Sequence, residues 1–188
     1  NDAVDQTNAS GLDGVLDTAV KVVPKRLHDT AYALAVEVAV VDVQPDGAEE
    51  TAELVRARGT RASVHLADVR DPDRMGALPA EIADSLGPCH ILVNNAGVTA
   101  AGAFTDETLD DLRWIVDINV WGVVHGCRAF LPMLREAEEA HIVNMSSMVG
   151  LLGLPHNVSY SLTKGAVRAF SEALRAELVT TQVGVTVV

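Results

Sequence analysis

Short apolar runs alternate with stretches of helical periodicity over residues 38–188, and nothing else in the chain constrains the fold as tightly. Val38-Ala39-Val40-Val41-Asp42-Val43, residues 62–67, Ile91-Leu92-Val93, residues 140–145 and residues 183–188 have the length and apolar character of buried strands. Helical segments lie between them. One covers residues 46–58 and stops at Gly59, and one covers 72–86 and is closed by Gly87-Pro88. A third opens at Thr105-Asp106-Glu107, read as an N-cap with an acidic first turn, and runs to about Leu134; a fourth runs from Tyr160 to about Val179. In the fourth, Ala166, Ala169, Phe170, Ala173, Leu174 and Leu178 form an apolar stripe, expected to face the core. Strands alternating with helices predict βαβ units, and so a three-layer α/β fold with a doubly wound parallel sheet.

Charge and cysteine usage narrow the function. The net charge is −12, from 26 acidic and 14 basic residues, a field that argues against nucleic acid or an anionic membrane as partner. No apolar run reaches the ~18 residues that span a bilayer, and the first residues lack the basic-then-apolar layout of a signal peptide. Cys89 and Cys127 stand in no metal-like spacing and read as buried thiols, which fits a reducing, cytoplasmic setting. His28, His65, His90, His125, His141 and His156 show no metal spacing and read as surface or loop residues, with His156 placed to reach a substrate mouth; no metal is expected.

The residues that carry chemistry lie in the second half. Tyr160 and Lys164 are four apart on a helix and so share a face. An ammonium beside a phenol favours the phenolate, and such a phenol exchanges a proton with a carbonyl or alcohol oxygen. Ser147, in the loop before that helix, can hold the same oxygen through its hydroxyl. Spacing alone does not single these residues out, since Tyr-x-x-x-Lys recurs by chance.

Their company does. Asn94-Asn95-Ala96-Gly97, Asn119 within Asp117-Ile118-Asn119-Val120-Trp121-Gly122, the run Ile142-Val143-Asn144-Met145-Ser146-Ser147, and Tyr160 with Lys164 follow one another in order, with Asp42 and Asp68-Val69 ahead of them. In this the chain resembles the short-chain dehydrogenase/reductase family over about residues 38–188. The resemblance implies Tyr160 as general acid/base. Lys164 would stabilise its phenolate and bind the nicotinamide ribose. Ser147 would orient the substrate oxygen in preference to Ser146, and Asn119 would hold a water relaying protons from Lys164. It also implies a nicotinamide dinucleotide, because no side chain supplies hydride. Asp42 would accept from both ribose hydroxyls and repel a 2′-phosphate, favouring NAD over NADP. Asp68 and Val69 would border the adenine; Asn95, Ala96 and Gly97 would pass behind the nicotinamide ribose, Gly97 allowing close backbone approach.

Two features depart from the family. Its T-G-x-x-x-G-x-G turn is expected about twenty residues before Asp42, where the chain reads Thr18-Ala19-Val20-Lys21-Val22-Val23-Pro24-Lys25-Arg26-Leu27, without glycine. Ala19 to Val23 remains a candidate first strand, and Lys25 and Arg26 read either as phosphate contacts or as surface charge. The Pro-Gly turn, substrate lid and further strand expected after Val188 are not in the sequence. The expectation is therefore a single domain over 1–188, Rossmann-like but incomplete at both ends, with 1–37 atypical. Its leading function is NAD(H)-dependent interconversion of a secondary alcohol and a ketone. The alternative is a non-catalytic scaffold or dimerisation protein that binds no dinucleotide. The Gly150-Leu151-Leu152-Gly153-Leu154-Pro155 loop favours an apolar substrate. A homodimer or homotetramer is expected by the resemblance; Trp114 and Trp121, seven apart and so on one face, would pack on a partner subunit or within their own.

Overall fold

The structure, a computed structural model, describes residues 15–16, 20–23 and 37–188. The rest of the atypical segment 1–37, Lys25 and Arg26 included, lies outside the described residues. In chain order the elements are β1 (Val15–Leu16), β2 (Val20–Val23), β3 (Val38–Asp42), α1 (Pro45–Arg56), β4 (Ala62–Leu66), α2 (Pro72–Leu86), β5 (Ile91–Asn94), β6 (Gly97–Val98) and α3 (Leu109–Val116). A π turn (Asp117–Trp121) joins α3 to α4 (Gly122–Glu136), followed by β7 (Ala140–Asn144), a 3-10 turn (Met148–Gly150), α5 (Val158–Glu177) and β8 (Val183–Val187).

Six strands form one sheet in the order β4-β3-β2-β5-β7-β8. β3 pairs with β4, β5 with β7, and β7 with β8, all parallel. β3 is buried on both faces. Ala39 and Val41 of β3 join the core built with α2 and α4, while Val38 and Val40 pack on Ala48 and Ala52 of α1. This is the expected three-layer α/β arrangement, with one correction. β2 occupies the place expected of the first strand but runs antiparallel to both β3 and β5. An apolar run such as Val20-Lys21-Val22-Val23 can pair in either direction, so its pattern carries no sense of direction. Val20 lies beside Val41 and Val23 beside Ile91, so the chain leaves β2 at the edge away from the ends of β3 and β5. β1 pairs antiparallel with β6.

Local chemistry sets the helix boundaries. Pro45 opens α1, where a missing N–H costs nothing. The Asp71 side chain accepts from the Asp73 and Arg74 amides to cap α2, and Gly87, at φ 91°, ends it. The third helix opens at Thr108 rather than Thr105, because Thr108 and Asp111 form a reciprocal capping box that Thr105 lacks. The stripe expected to bury α5 is also corrected. Leu178 is buried and Phe170 and Leu174 pack on the core as expected, but Ala169 and Ala173 are exposed, and the buried face of α5 also carries Ser159, Thr163, Lys164, Val167 and Ser171. Hydropathy alone places polar side chains outward, but here hydrogen bonds hold Thr163, Lys164 and Ser171 inside.

The π turn moves the tryptophans apart. It uses one residue more than an α turn, rotating the residues after it by about 100°, one α-helical step. Trp114 packs inside the chain on the Val98, Ala100 and Ile115 cluster. Trp121 is 50% exposed and stacks on His125 with ring centroids 6.0 Å apart.

Candidate active site

The parallel strands β3, β4, β5 and β7 all end at one edge of the sheet, the edge where open α/β sheets form their ligand crevice. Asp42, Asp68, Asn94 and Asn144 stand at or just beyond those ends. Asn94 and Asn144 are register partners. The Asn94 amide donates to Asn144 Oδ1 at 2.8 Å and to Cys127 Sγ at 3.3 Å. The Asn144 amide donates to Ser171 Oγ at 2.9 Å, and Ser171 donates to the Val167 carbonyl at 2.7 Å. All four side chains are buried, so the ends of two strands are tied to α4 and α5 by uncharged hydrogen bonds. Gly126 makes room for this network: a Cβ there would lie 2.1 Å from Asn94 Oδ1.

Beyond these strand ends, Asn119, Tyr160 and Lys164 come together. Lys164 is 5% exposed, and its ammonium donates to the Met145 carbonyl at 2.8 Å and lies 5.7 Å from the centroid of the Tyr160 ring. Burial pushes its pKa down from the ordinary lysine value. Asn119 is fully buried in the π turn. Its Oδ1 accepts from the Val98 amide at 2.8 Å, and its Nδ2 donates to the Val98 carbonyl at 2.8 Å and to Thr163 Oγ1 at 3.1 Å. Both amide hydrogens are thereby used. Gly97 sits over both residues: a Cβ there would lie 3.4 Å from Asn119 Oδ1 and 3.4 Å from Lys164 Nζ. Tyr160 is half-buried, its ring packed on the cluster of Val98, Ala100 and Ile115.

The two serines part company. Ser146 Oγ donates to the Lys164 carbonyl at 2.7 Å and so ties the loop to α5. Ser147 caps the 3-10 turn, accepting from the Val149 amide at a long 3.4 Å. Its hydroxyl hydrogen is given to no described group. Gly150 presses the loop on α5, since a Cβ there would lie 2.7 Å from the Lys164 carbonyl carbon.

The positions expected around the cofactor spread along the same edge. Asp42 is 7% exposed, and its Oδ1 accepts from the Gln44 amide at 2.9 Å. Asp68 is grasped by Arg70: Nε lies 3.0 and 2.9 Å from its two oxygens, and Nη2 lies 2.6 Å from Oδ2. Burial opposes ionisation of Asp68, but the hydrogen bonds and charge of Arg70 prevail and hold its carboxyl below the usual range. Val69 is buried against Gly122, where a Cβ would approach its Cγ2 to 2.8 Å. Ala96 and Gly97 are buried and Asn95 half-buried. The bare backbone at Gly97 above the Lys164 ammonium fits the nicotinamide-ribose end of a dinucleotide, and the Asp42 carboxylate fits the adenosine-ribose end. Between them the described residues offer no glycine turn leading into a helix.

Among the described residues no group of three His, Cys, Asp or Glu side chains could hold a metal, and no helix is long and apolar enough to cross a membrane. Cys89 and Cys127 are buried, unpaired thiols whose pKa burial raises to about 12. His65 corrects the surface reading of the histidines. It lies in β4 with a side chain 10% exposed, bonded to Ser63 at 2.8 Å, and burial lowers its pKa despite Glu81 beside it. His156 is exposed and holds a positive φ of 63°. Sequence reasoning passed over Asn94, Asn144, Thr163 and Ser171. Their signal was an Asn closing each of two strands, a hydroxyl three residues after Tyr160 and another seven after Lys164.

Fold and strand-end site together define a Rossmann-type α/β protein. The family profile described as short chain dehydrogenase matches residues 25–188. Putative oxidoreductase SadH of Mycobacterium tuberculosis is 36% identical over 142 residues, covering 76% of this chain and 51% of that protein. Ketoacyl reductase HetN of Nostoc is 34% identical over 161 residues, 84% of this chain and 56% of its own. A short-chain dehydrogenase/reductase from Burkholderia phymatum in complex with NAD superposes with a TM-score of 0.77 at 33% identity, over 80% of this chain and 55% of that one. The chain belongs to the short-chain dehydrogenase/reductase family and spans about half the length of these relatives.

Proposed function

We propose that this chain is an NAD(H)-dependent oxidoreductase interconverting a secondary alcohol and a ketone. The observation that carries the reading is the buried Lys164 ammonium, set beneath the bare backbone of Gly97 and beside the Tyr160 ring. Tyr160 gives its phenolic proton to the carbonyl oxygen in reduction and takes it back in oxidation. Ser147, with a hydroxyl hydrogen to spare, holds that oxygen. Lys164 stabilises the phenolate and binds the nicotinamide ribose. Both Asn119 amide hydrogens are used, so a relay water held by Asn119 must donate to one of its oxygens. The dinucleotide supplies the hydride when bound. Asp42 selects NAD over NADP; Asp68 and Val69 border the adenine, and Asn95 and Ala96 line the ribose path. Met148, Leu151, Leu152 and Leu154, all exposed in the loop after Ser147, favour an apolar substrate. Residues 1–188 act as one cytoplasmic domain. The exposed Trp121, Leu162, Ala169 and Ala173 are offered to a second copy in a dimer or tetramer.

A second reading, a scaffold of this family that binds no dinucleotide, draws on the antiparallel β2, which sends the chain away from the site edge. Titration of the chain with NADH and NADPH, followed by nicotinamide fluorescence, separates the two. Saturable NADH binding, weaker for NADPH and weakened by Asp42→Ala, supports the enzyme. Tyr160→Phe should then keep NADH binding and lower turnover about 10²- to 10⁴-fold. No binding of either nucleotide at millimolar concentration by a folded chain supports the scaffold.

A further inference from the structure

Thr163 has no part in the roles above, yet it is fully buried and lies between the groups that do. Its hydroxyl accepts from Asn119 Nδ2 at 3.1 Å and donates to the Tyr160 carbonyl at 2.9 Å. Asn119 in turn clasps both backbone polar groups of Val98, the residue after Gly97. One oxygen atom thus links three pieces of backbone: the first turn of α5, the π turn, and the β6 segment that covers Lys164. All the links are uncharged; those made by Asn119 are buried and the one to the Tyr160 carbonyl is partly buried, so solvent weakens the Asn119 links little, and losing the Thr163 hydroxyl strands an Asn119 hydrogen in the interior.

We infer that Thr163 is a positioning residue: through its single hydroxyl it sets Tyr160 and Lys164 in register with Asn119 and Gly97. It touches neither substrate nor the reacting atoms. Its effect is on where the phenol stands relative to the loop beneath which the ammonium lies. The inference deepens the proposed acid/base reading and rests on it for the catalytic consequence, but the geometric claim stands apart from turnover. Thr163→Val keeps the shape of the side chain and removes both hydrogen bonds, leaving the Asn119 amide with an unpaired hydrogen. Thr163→Ser keeps the hydroxyl and gives up a methyl.

The test compares these two variants with the unaltered chain by two measurements. In the first, turnover with NADH and an apolar ketone panel should fall about tenfold to a hundredfold in kcat for Thr163→Val, as displacement of a catalytic group by a fraction of an ångström would cause, with KM little changed. Thr163→Ser should restore most of it. In the second, the chain is labelled at lysine Cε and followed by carbon–proton NMR without cofactor. Its three lysines are Lys21, Lys25 and Lys164, and only Lys164 lies against an aromatic ring among the described residues. The ring-current displacement of the Lys164 signal should change in Thr163→Val and keep its parent value in Thr163→Ser. If Thr163→Val does not fold, Thr163→Ala takes its place, removing the hydroxyl without setting a methyl against the Asn119 amide. A shifted Lys164 signal in the hydroxyl-free variant, with rescue by serine, supports the inference. A Lys164 signal unchanged in Thr163→Val, or shifted equally in Thr163→Ser, overturns it. If the unaltered chain turns over no substrate, it is the oxidoreductase reading that has failed, and the NMR comparison still decides the role of Thr163.

Discussion

The two sides of β2 are held together by different forces. Toward β5, β7 and α5, neutral links prevail: Asn94 to Asn144 to Ser171 and Asn119 to Thr163 are buried, Ser146 to the Lys164 backbone is partly buried, and the ion pair Arg168–Glu172 lies on the outer face of α5. Toward β3 and β4, the polar links are mostly ion pairs at the surface: Asp68 with Arg70, Arg74 with Glu81, Arg61 with Glu37. Buried neutral hydrogen bonds demand one geometry, because the interior offers no substitute partner. Exposed ion pairs compete with water and salt and each contributes little. The side that carries Tyr160 and Lys164 is therefore built for fixed distances, and the side that carries Asp42 and Asp68 for charge.

Substitutions at glycine should display the contrast most strongly. Gly126→Ala would drive a methyl into the Asn94 amide, which must leave its place between Cys127 and Asn144. It should cost about 2–3 kcal/mol in a urea melt. Gly76→Ala, on an exposed position of α2 with nothing within 4 Å of its new methyl, should instead stabilise by about 0.5–1 kcal/mol. Equal effects at the two sites would remove the distinction.

Lys164 gives the next effect and sharpens the comparison, being a charge placed on the neutral side. Burial has lowered its pKa, so between that lowered value and the ordinary one of about 10.4 the unfolded chain holds a proton that the folded chain has released. Stability attributable to Lys164 must then rise with pH across that window, and below it the fold bears the full cost of the buried ammonium. Lys164→Met should raise stability at neutral pH by about 1 kcal/mol, flatten the rise, and abolish turnover. A destabilised variant would show that the bond to Met145 outweighs desolvation, and a rise with pH that persists in the variant would belong to other groups.

The smallest effect should come from Arg70→Ala. The pair with Asp68 is partly exposed, so its loss should cost less than about 1 kcal/mol, and less still in high salt. Because the Asp68 carboxyl is held low, this contribution is present above the ordinary carboxylate value of about 3.9 and disappears as pH falls through the lowered one. An acid-unfolding curve of the variant superposed on that of the parent throughout would refute any such contribution.

How far the sequence could be read obeys the same division. From Val38 onward the strands of the six-stranded sheet lay within a residue or two of their expected limits, because runs flanked by turn residues announce themselves, whereas the two-residue β6 was not foreseen. The residues carrying Tyr160, Lys164, Asn119 and Gly97 were legible because they recur together at fixed intervals, and the fold brings them to one place. The direction of β2 was not legible, since four apolar-patterned residues pair equally well either way. Nor was the buried face of α5. Periodicity ranks residues by hydropathy, and it places Thr163 and Ser171 outside because it has no knowledge of the partners awaiting them. Thr108 lost to Thr105 for a related reason: both precede acidic residues, and only the reciprocal geometry with Asp111 separates them.

The π turn at Asp117–Trp121 has a further meaning. A helix is a repeating signal, and this one carries two messages that would collide at a single phase. Before the turn it is tuned to the cluster around Tyr160, through Ile115 and Trp114; after it, to the core beneath the sheet, through Val123, Cys127 and Phe130. The one surplus residue is the phase shift that lets both be received, and Asn119 sits where the shift occurs. Deleting any single residue from that turn would not shorten the helix so much as detune it, so that either Trp114 or Phe130 must give up its place.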